Sequence, residues 1–169
     1  DCEANTHFST ETPESGKKCF ACGDTTNGVI GCEKCTAPGD GKTNPTCTKC
    51  TDKYLKTAAD GTTTCVAKGA CKDDYFTVDD STNGHKCVSC GDETGVTDAN
   101  SAQWKGVANC AKCTQPSAAG TVKCSECASG YKLEGEACVP ASTNLSSGAI
   151  AGISVAVIAV VGGLVGFLC

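Results

Sequence analysis

Cysteine spacing constrains this chain more than any other feature. Seventeen cysteines occur in 169 residues, and twelve of them form six C-x-x-C pairs. At about a tenth of the composition, cysteine points to a disulfide scaffold made in an oxidising compartment, because reducing cytosol would keep so many thiols apart. Apolar burial is a weak alternative: the chain has eight aromatics and no Met, with abundant Thr, Gly, Lys and Asp. Residues 1–148 therefore cannot rest on one oily core. A disulfide contributes roughly 2–4 kcal/mol, chiefly by restricting the unfolded chain, so eight of them would outweigh any core this composition can assemble.

The cysteines repeat. Cys2, Cys19, Cys22, Cys32, Cys35, Cys47, Cys50 and Cys65 form one set; Cys71, Cys87, Cys90, Cys110, Cys113, Cys124, Cys127 and Cys138 form another in the same single, pair, pair, pair, single order. Two tandem cysteine-rich units follow, 1–70 and 71–141. Sixteen is even, so all of these can pair, and Cys169 is left outside the framework. Eight cysteines per unit admit many connectivities, and spacing alone does not settle them. Closing a C-x-x-C on itself makes small redox-type rings, so the expectation is consecutive pairing between neighbours. Cys2 would join Cys19, Cys22 join Cys32, Cys35 join Cys47, Cys50 join Cys65, and so on through Cys138. The last loop of each unit, CTDKYLKTAADGTTTC and CASGYKLEGEAC, reads as a hairpin turning at Asp60-Gly61 or Glu134-Gly135. Tyr54 and Tyr131, four residues past the cysteine, are expected to pack on their own disulfide.

The same cysteines carry rival chemistries. Cys19, Cys22, Cys32 and Cys35, and again Cys110, Cys113, Cys124 and Cys127, could each supply four thiolates to a tetrahedral zinc, with only His7 and His85 available as nitrogen ligands. An oxidising exterior favours bridges over such a site. Thioredoxin-type chemistry needs one exposed pair at a helix start in a βαβ unit, and nothing here reads as that unit. Asp73-Asp74 and Asp79-Asp80 read as solvated turns, with calcium as the alternative. No paired-His motif, nucleophile elbow or phosphate loop occurs, so an enzyme is not expected. All fourteen positive charges are Lys against a net charge of −5, which leaves nucleic acid no electrostatic footprint. Trp104, alone in the long loop between Cys90 and Cys110, is expected to anchor local packing.

Residues 142–148 form a polar stalk, in which Asn144-Leu145-Ser146 is an N-glycosylation sequon. Residues 149–169 follow, AIAGISVAVIAVVGGLVGFLC, uncharged and with Ser154 the only polar side chain. At a helical rise of 1.5 Å per residue they reach across a bilayer core of about 30 Å, so a transmembrane helix and a lipid bilayer partner are expected. Gly148-x3-Gly152 and Gly162-x3-Gly166 have the small-residue spacing that lets membrane helices approach closely.

The stalk and span, LSSGAIAGISVAVIAVVGGLVGFLC, with the C-x-x-C pairs upstream, resemble the variant-specific surface proteins of Giardia. The resemblance implies a single-pass type I plasma membrane protein with an extracellular ectodomain. It further implies a protease-resistant coat antigen, exchanged during antigenic variation and met by host antibodies. Departures from the family pattern are the absence of its basic Cys-Arg-Gly-Lys-Ala tail after Cys169, of its Gly-Gly-Cys-Tyr motif and of a signal peptide at Asp1, so the sequence reads as a C-terminal part of a longer precursor. The Cys-x3-Tyr hairpins also resemble furin-like and growth-factor-receptor cysteine-rich modules, whose implied role is a receptor or adhesion stalk. The expected fold is therefore small and disulfide-rich: tandem furin-like or EGF-like modules of short β-hairpins, plus one C-terminal transmembrane helix.

Overall fold

Short strands rich in Thr, Lys and Cys cannot bury a broad sheet face, so most form small hairpin-like pairs tied by sulfur. The computed structural model describes residues 2–12 and 16–141. Contacts divide the chain into a unit of Asp1–Val139 and one of Pro140–Cys169, and the described residues fall almost wholly in the first. The expected stalk at 142–148, the Asn144 sequon and the span at 149–169 lie outside the described residues. Among the described residues no helix is long and apolar enough to cross a membrane.

The first half runs β1 (His7–Thr12), β2 (Gly16–Ala21), β3 (Cys32–Thr36), β4 (Thr46–Cys50), β5 (Tyr54–Thr57) and β6 (Thr63–Val66). A 3-10 turn at Lys68–Ala70 leads to the second half. There follow β7 (Tyr75–Val78), β8 (Lys86–Ser89), β9 (Val96–Thr97), β10 (Gln103–Lys105), β11 (Cys110–Cys113), β12 (Gly120–Thr121), β13 (Cys124–Cys127), β14 (Tyr131–Glu134) and β15 (Ala137–Pro140). Antiparallel pairs recur in the same order: β1 with β2, β3 with β4 and β5 with β6, then β7 with β8, β11 with β13 and β14 with β15. Both expected Cys-to-Cys hairpins are present, and their turn glycines Gly61 (φ 78°) and Gly135 (φ 63°) take the left-handed conformation that the turns require. Across residues 70 and 71 the sheet is continuous: β5 runs parallel to β8, with Leu55 opposite Lys86 and Lys56 opposite Cys87.

Eight disulfides tie this framework. Consecutive pairing holds for the flanking bonds Cys2–Cys19, Cys50–Cys65, Cys71–Cys87 and Cys127–Cys138. It fails for the inner four, where Cys22 joins Cys35, Cys32 joins Cys47, Cys90 joins Cys113 and Cys110 joins Cys124. Backbone hydrogen bonds explain the exchange of partners. Cys22 and Cys35 donate their N–H groups to the adjacent carbonyls of Thr6 and Asn5, at 2.9 and 2.8 Å, so their sulfurs meet. In the second half Cys90 and Cys113 donate to Asp74 and Asp73 at 2.8 and 3.4 Å. Asn5 (φ 68°) and Asp73 (φ 65°) are both left-handed, a conformation that Asn and Asp tolerate better than most residues. Cys32 and Cys110, displaced from the neighbour nearest in sequence, reach the following strand instead.

A second shared device is the run Cys-Gly-Asp. The Asp24 carboxylate accepts the N–H groups of Thr26 and Asn27 at 3.0 and 2.7 Å, and that of Asp92 accepts Thr94 and Gly95 at 3.1 and 3.0 Å. The chain then returns so that Val29 donates to Cys22 O and Val107 to Cys90 O, each at 2.8 Å. Gly28 and Gly106 precede those valines, and a Cβ there would lie 2.5 and 2.4 Å from the same two carbonyl oxygens.

The interior is a series of small clusters. Phe8 packs among Cys22, Cys32, Cys35, Cys47 and Cys50 in the first half. Cys90, Cys110, Cys124 and Cys138 form a counterpart in the second. Phe76, Val78, Val88 and Val122 make a separate cluster covered by Val96 and Trp104. Trp104 is half-buried there, and its indole N–H donates to Asp98 at 2.9 Å.

Candidate functional site

The strand register brings sulfur together twice. On β3 and β4, Cys32 lies opposite Cys50 and Cys35 opposite Cys47; on β11 and β13, Cys110 lies opposite Cys127 and Cys113 opposite Cys124. Both ladders carry a bulge between their cysteine pairs, which lets residues three apart in the chain engage different partners. The Sγ atoms of Cys47, Cys50 and Cys65 lie within 4.8 Å of one another, as do those of Cys124, Cys127 and Cys138. Cys47 and Cys65, members of different disulfides, are 3.8 Å apart at sulfur, and Cys124 and Cys138 are 3.5 Å apart.

The residues of the zinc alternative are distributed differently. Cys19 is bonded to Cys2, Cys22 to Cys35 and Cys32 to Cys47. Cys110 is bonded to Cys124, Cys113 to Cys90 and Cys127 to Cys138. A bonded sulfur is not a thiolate, and zinc binding requires thiolate. The first sulfur triad shares no residue with the first expected quartet, and the second shares only Cys124 and Cys127 with its own. His7 Nδ1 sits 3.0 Å from Thr6 Oγ1, and His85 Nδ1 accepts the Asp80 N–H at 3.0 Å.

A second cluster of polar and aromatic groups lies at the seam between the halves. Tyr54 is 8% exposed and packs against Cys71 and Cys87, the disulfide that opens the second half, and its ring stacks on His85 at 5.0 Å. Its hydroxyl donates to Asp79 Oδ1, and Lys68 pairs with Asp79 Oδ2 at 2.7 Å. Lys68, then the Tyr54 hydroxyl, hold the Asp79 carboxyl below its ordinary pKa. Burial, then Asp79, push the Tyr54 phenol above its own. The Leu55 N–H donates to His85 O at 2.9 Å across the seam, and Lys56 Nζ lies 4.0 Å over the Tyr75 ring. Tyr131, the counterpart in the second half, is 37% exposed, so it does not repeat this packing.

Sequence reasoning missed Asp80. Its polar neighbours suggest a solvated turn, yet it is buried, and its two carboxylate oxygens accept the N–H groups of Thr82, Asn83 and Ala99. Its pKa is lowered, the Asn83 N–H being the largest cause. Asp98 is likewise held below its ordinary value, first by the Trp104 indole and then by Ala102. Each carboxylate is saturated by nearby donors, which is the work of a loop anchor. Gln115 is a further clamp: its side-chain amide accepts from Thr77 N at 2.7 Å and donates to Thr77 O at 2.9 Å, imitating a strand beside β7. The one signal for the role of Asp80 is its Asp-x-x-Asn spacing with Asn83, a local turn pattern.

A shallow groove of about 420 Å³ opens beside the seam, lined mainly by Leu55, Ala58, Tyr75, Val88 and Val96. Thr57, Lys86, Ser89 and Asp92 supply its polar edge.

The family model for Giardia variant-specific surface protein matches residues 2–169. The major surface-labeled trophozoite antigen 417 of Giardia intestinalis is 42% identical over 133 residues, covering 76% of this chain and 17% of that protein. The variant-specific surface protein VSP4A1 of the same organism is 39% identical over 149 residues, covering 84% of this chain and 15% of that protein. A surface antigen, CRP170, also of Giardia intestinalis, is 41% identical over 54 residues, which is 30% of this chain and 16% of that protein. The chain thus spans about a sixth of the length of the curated relatives it matches. No solved structure matches it.

Proposed function

The chain belongs to the Giardia variant-specific surface protein family, and from that premise we propose that it is the membrane-proximal part of a coat antigen whose work is shielding and display rather than catalysis. Residues 149–169 span the plasma membrane, and residues 1–141 stand outside the cell, the orientation expected of a type I protein. The observation that carries this reading is the bonding of all sixteen cysteines among residues 2–138 into eight disulfides. Such a framework needs an oxidising exterior. Short closed loops also restrict the local opening that proteases require. Antibodies would meet the exposed loops, such as residues 37–44 and 117–121, while the buried sulfurs stay hidden.

The test is surface labelling of intact cells expressing the full chain, using a membrane-impermeant amine reagent. The exposed lysines, among them Lys17, Lys18 and Lys72, should label without permeabilisation. Labelling that appears only after the membrane is opened would overturn the orientation. A trypsin challenge of the oxidised and reduced chains tests the shield: the oxidised chain should persist under conditions that digest the reduced one, and equal digestion would count against it.

A further inference from the structure

The two sulfur clusters have a property that a purely static staple does not need. We propose that each is a thiol-disulfide exchange site, at which a free low-molecular-weight thiol re-pairs two adjacent disulfides without net reduction. Cys32–Cys47 and Cys50–Cys65 become Cys32–Cys50 and Cys47–Cys65. Cys110–Cys124 and Cys127–Cys138 become Cys110–Cys127 and Cys124–Cys138.

Both alternative partners are already in place. Cys32 is opposite Cys50 across β3 and β4, and Cys110 is opposite Cys127 across β11 and β13. Directly opposed residues in an antiparallel pair have Cα atoms about 4.5–5.5 Å apart, inside the range a disulfide spans. The other new partners touch at sulfur, Cys47 with Cys65 at 3.8 Å and Cys124 with Cys138 at 3.5 Å. Among the described residues these are the two places where three cysteine sulfurs crowd within 4.8 Å. The arrangement recurs in both halves although the hairpins differ in length, Cys65 standing 15 positions after Cys50 and Cys138 only 11 after Cys127.

Each cluster also has one accessible point of entry. Cys65 is half-exposed, whereas Cys32, Cys47 and Cys50 are buried; Cys127 is half-exposed, whereas Cys110, Cys124 and Cys138 are buried. In the first cluster the incoming thiolate attacks Cys65 Sγ, and Cys50 leaves as a thiolate. Cys50 attacks Cys32 Sγ, forming Cys32–Cys50 and expelling Cys47. Cys47 then attacks Cys65 Sγ, forming Cys47–Cys65 and returning the original thiolate. In the second cluster entry at Cys127 releases Cys138, which attacks Cys124 and expels Cys110. Cys110 closes on Cys127 and frees the thiolate. Three S–S bonds form and three break in each sequence, no electrons are gained or lost, and the added thiol is a catalyst. In each sequence one later step joins sulfurs already in contact and the other joins directly opposed strand residues, so both are intramolecular, which favours them over further attack from solution. The new bonds interlock loops that the original pairing closes one after the other, so the surface between them must change shape.

The experiment treats the purified, fully oxidised chain with millimolar reduced glutathione under argon, quenches with acid and an alkylating reagent, and maps linkages without reduction. Peptides carrying Cys47–Cys65, Cys32–Cys50, Cys124–Cys138 and Cys110–Cys127 should appear while the free-thiol count stays flat. Their formation should outpace loss of Cys22–Cys35 or Cys90–Cys113 by about tenfold or more, the advantage expected of contact-assisted exchange. Loss of the starting bonds matched by an equal rise in free thiols, or scrambling of all eight bonds at one rate, overturns the proposal. The double substitution Cys50→Ala with Cys65→Ala removes the partner bond of the first cluster. Exchange of Cys47 should then stop while the second cluster proceeds unchanged; continued exchange of Cys47 refutes the route. If that variant does not fold, mapping of the unaltered chain decides alone. None of these readouts depends on where the protein sits in the cell.

Discussion

Tyr54 offers the sharpest test of how the halves are held. Replacing it with Ala removes a ring that is 8% exposed, stacked on His85 and packed on Cys71 and Cys87. Truncating a buried aromatic to Ala costs roughly 3–5 kcal/mol. Replacing it with Phe keeps the ring and removes only the hydroxyl that donates to Asp79. A hydrogen bond to a charged partner contributes roughly 1.5–3 kcal/mol. The Asp79 side chain is 56% exposed and retains Lys68, so water replaces part of what is lost and about 1 kcal/mol is the reasonable figure. The Cys50–Cys65 and Cys71–Cys87 bonds close loops on either side of the seam and neither crosses it, so each half keeps its own crosslinks and the effect is local opening of the seam rather than global unfolding. The amide to follow is Leu55, which donates to His85 O across the seam. Hydrogen exchange of that amide should quicken about fivefold in Tyr54→Phe and several hundredfold, roughly, in Tyr54→Ala, at about 1.4 kcal/mol per decade. A Leu55 amide as protected in Tyr54→Ala as in the unaltered chain would refute the argument, because the β5–β8 backbone pairing would then hold the seam without the ring. The pH window follows from the shifts. Asp79 is depressed, so its contribution is present above the unfolded value of about 3.9 and fades as pH falls through the lower folded value. Tyr54 is raised, so its contribution is present below about 10 and fades as pH rises through the higher folded value.

Two other outcomes can be checked with simple readouts. Gly106→Ala and Gly28→Ala would press a Cβ to 2.4 and 2.5 Å from the Cys90 and Cys22 carbonyl oxygens. The overpacking cost of typically about 1–3 kcal/mol exceeds the 0.4–1 kcal/mol or so gained from a stiffer unfolded chain, so the yield of correctly bonded chain after oxidative refolding should fall. Gly39→Ala meets nothing within 4 Å and should refold as the parent does; equal yields for all three would sink the close-approach reading. Trp104 reports on acid: Asp98 accepts its indole N–H and has a lowered pKa, so that contact persists through the ordinary carboxylate range and is lost only as pH falls through the depressed value. Trp fluorescence should therefore change with a midpoint below about 3.9, and a midpoint at or above that value would contradict the assignment.

The hairpins were legible because their turns are chemical: Asp60-Gly61 and Glu134-Gly135 supply positive φ where a two-strand reversal needs it. The flanking disulfides were legible because each closes a single hairpin or loop between neighbours. The inner pairing was not, since it depends on Asn5 and Asp73 turning their carbonyls toward strands some thirty to forty residues away in the chain, and nothing in the cysteine spacing encodes that contact. Tyr54 and Tyr131 occupy the same place in the sequence pattern, yet only Tyr54 has a following disulfide to cover. A repeat unit's environment is set partly by what comes next, which a comparison of the two units alone omits. Asp80 misleads for a related reason: its neighbours are polar, and its burial comes from the loop at 98–102 folding back on it.

The contrast between the two Cys-Gly-Asp loops bears on how such a chain can vary. Between Asp24 and Gly28 lie three residues; between Asp92 and Gly106 lie thirteen, enough to build β9 and β10 and to seat Trp104. Yet the hydrogen bonds that bracket the loop, from Val29 to Cys22 and from Val107 to Cys90, are both 2.8 Å, and the disulfides beyond them join equivalent cysteines. The frame does not register what is placed between its glycine and its aspartate. Because flexible-loop closure cost grows only with the logarithm of loop length, and the bonded frame fixes the loop ends in any case, the longer loop is carried with no rearrangement of the sulfur ladder. Sequence change concentrated in such loops would alter what an outside protein touches while leaving the bonded frame as it is.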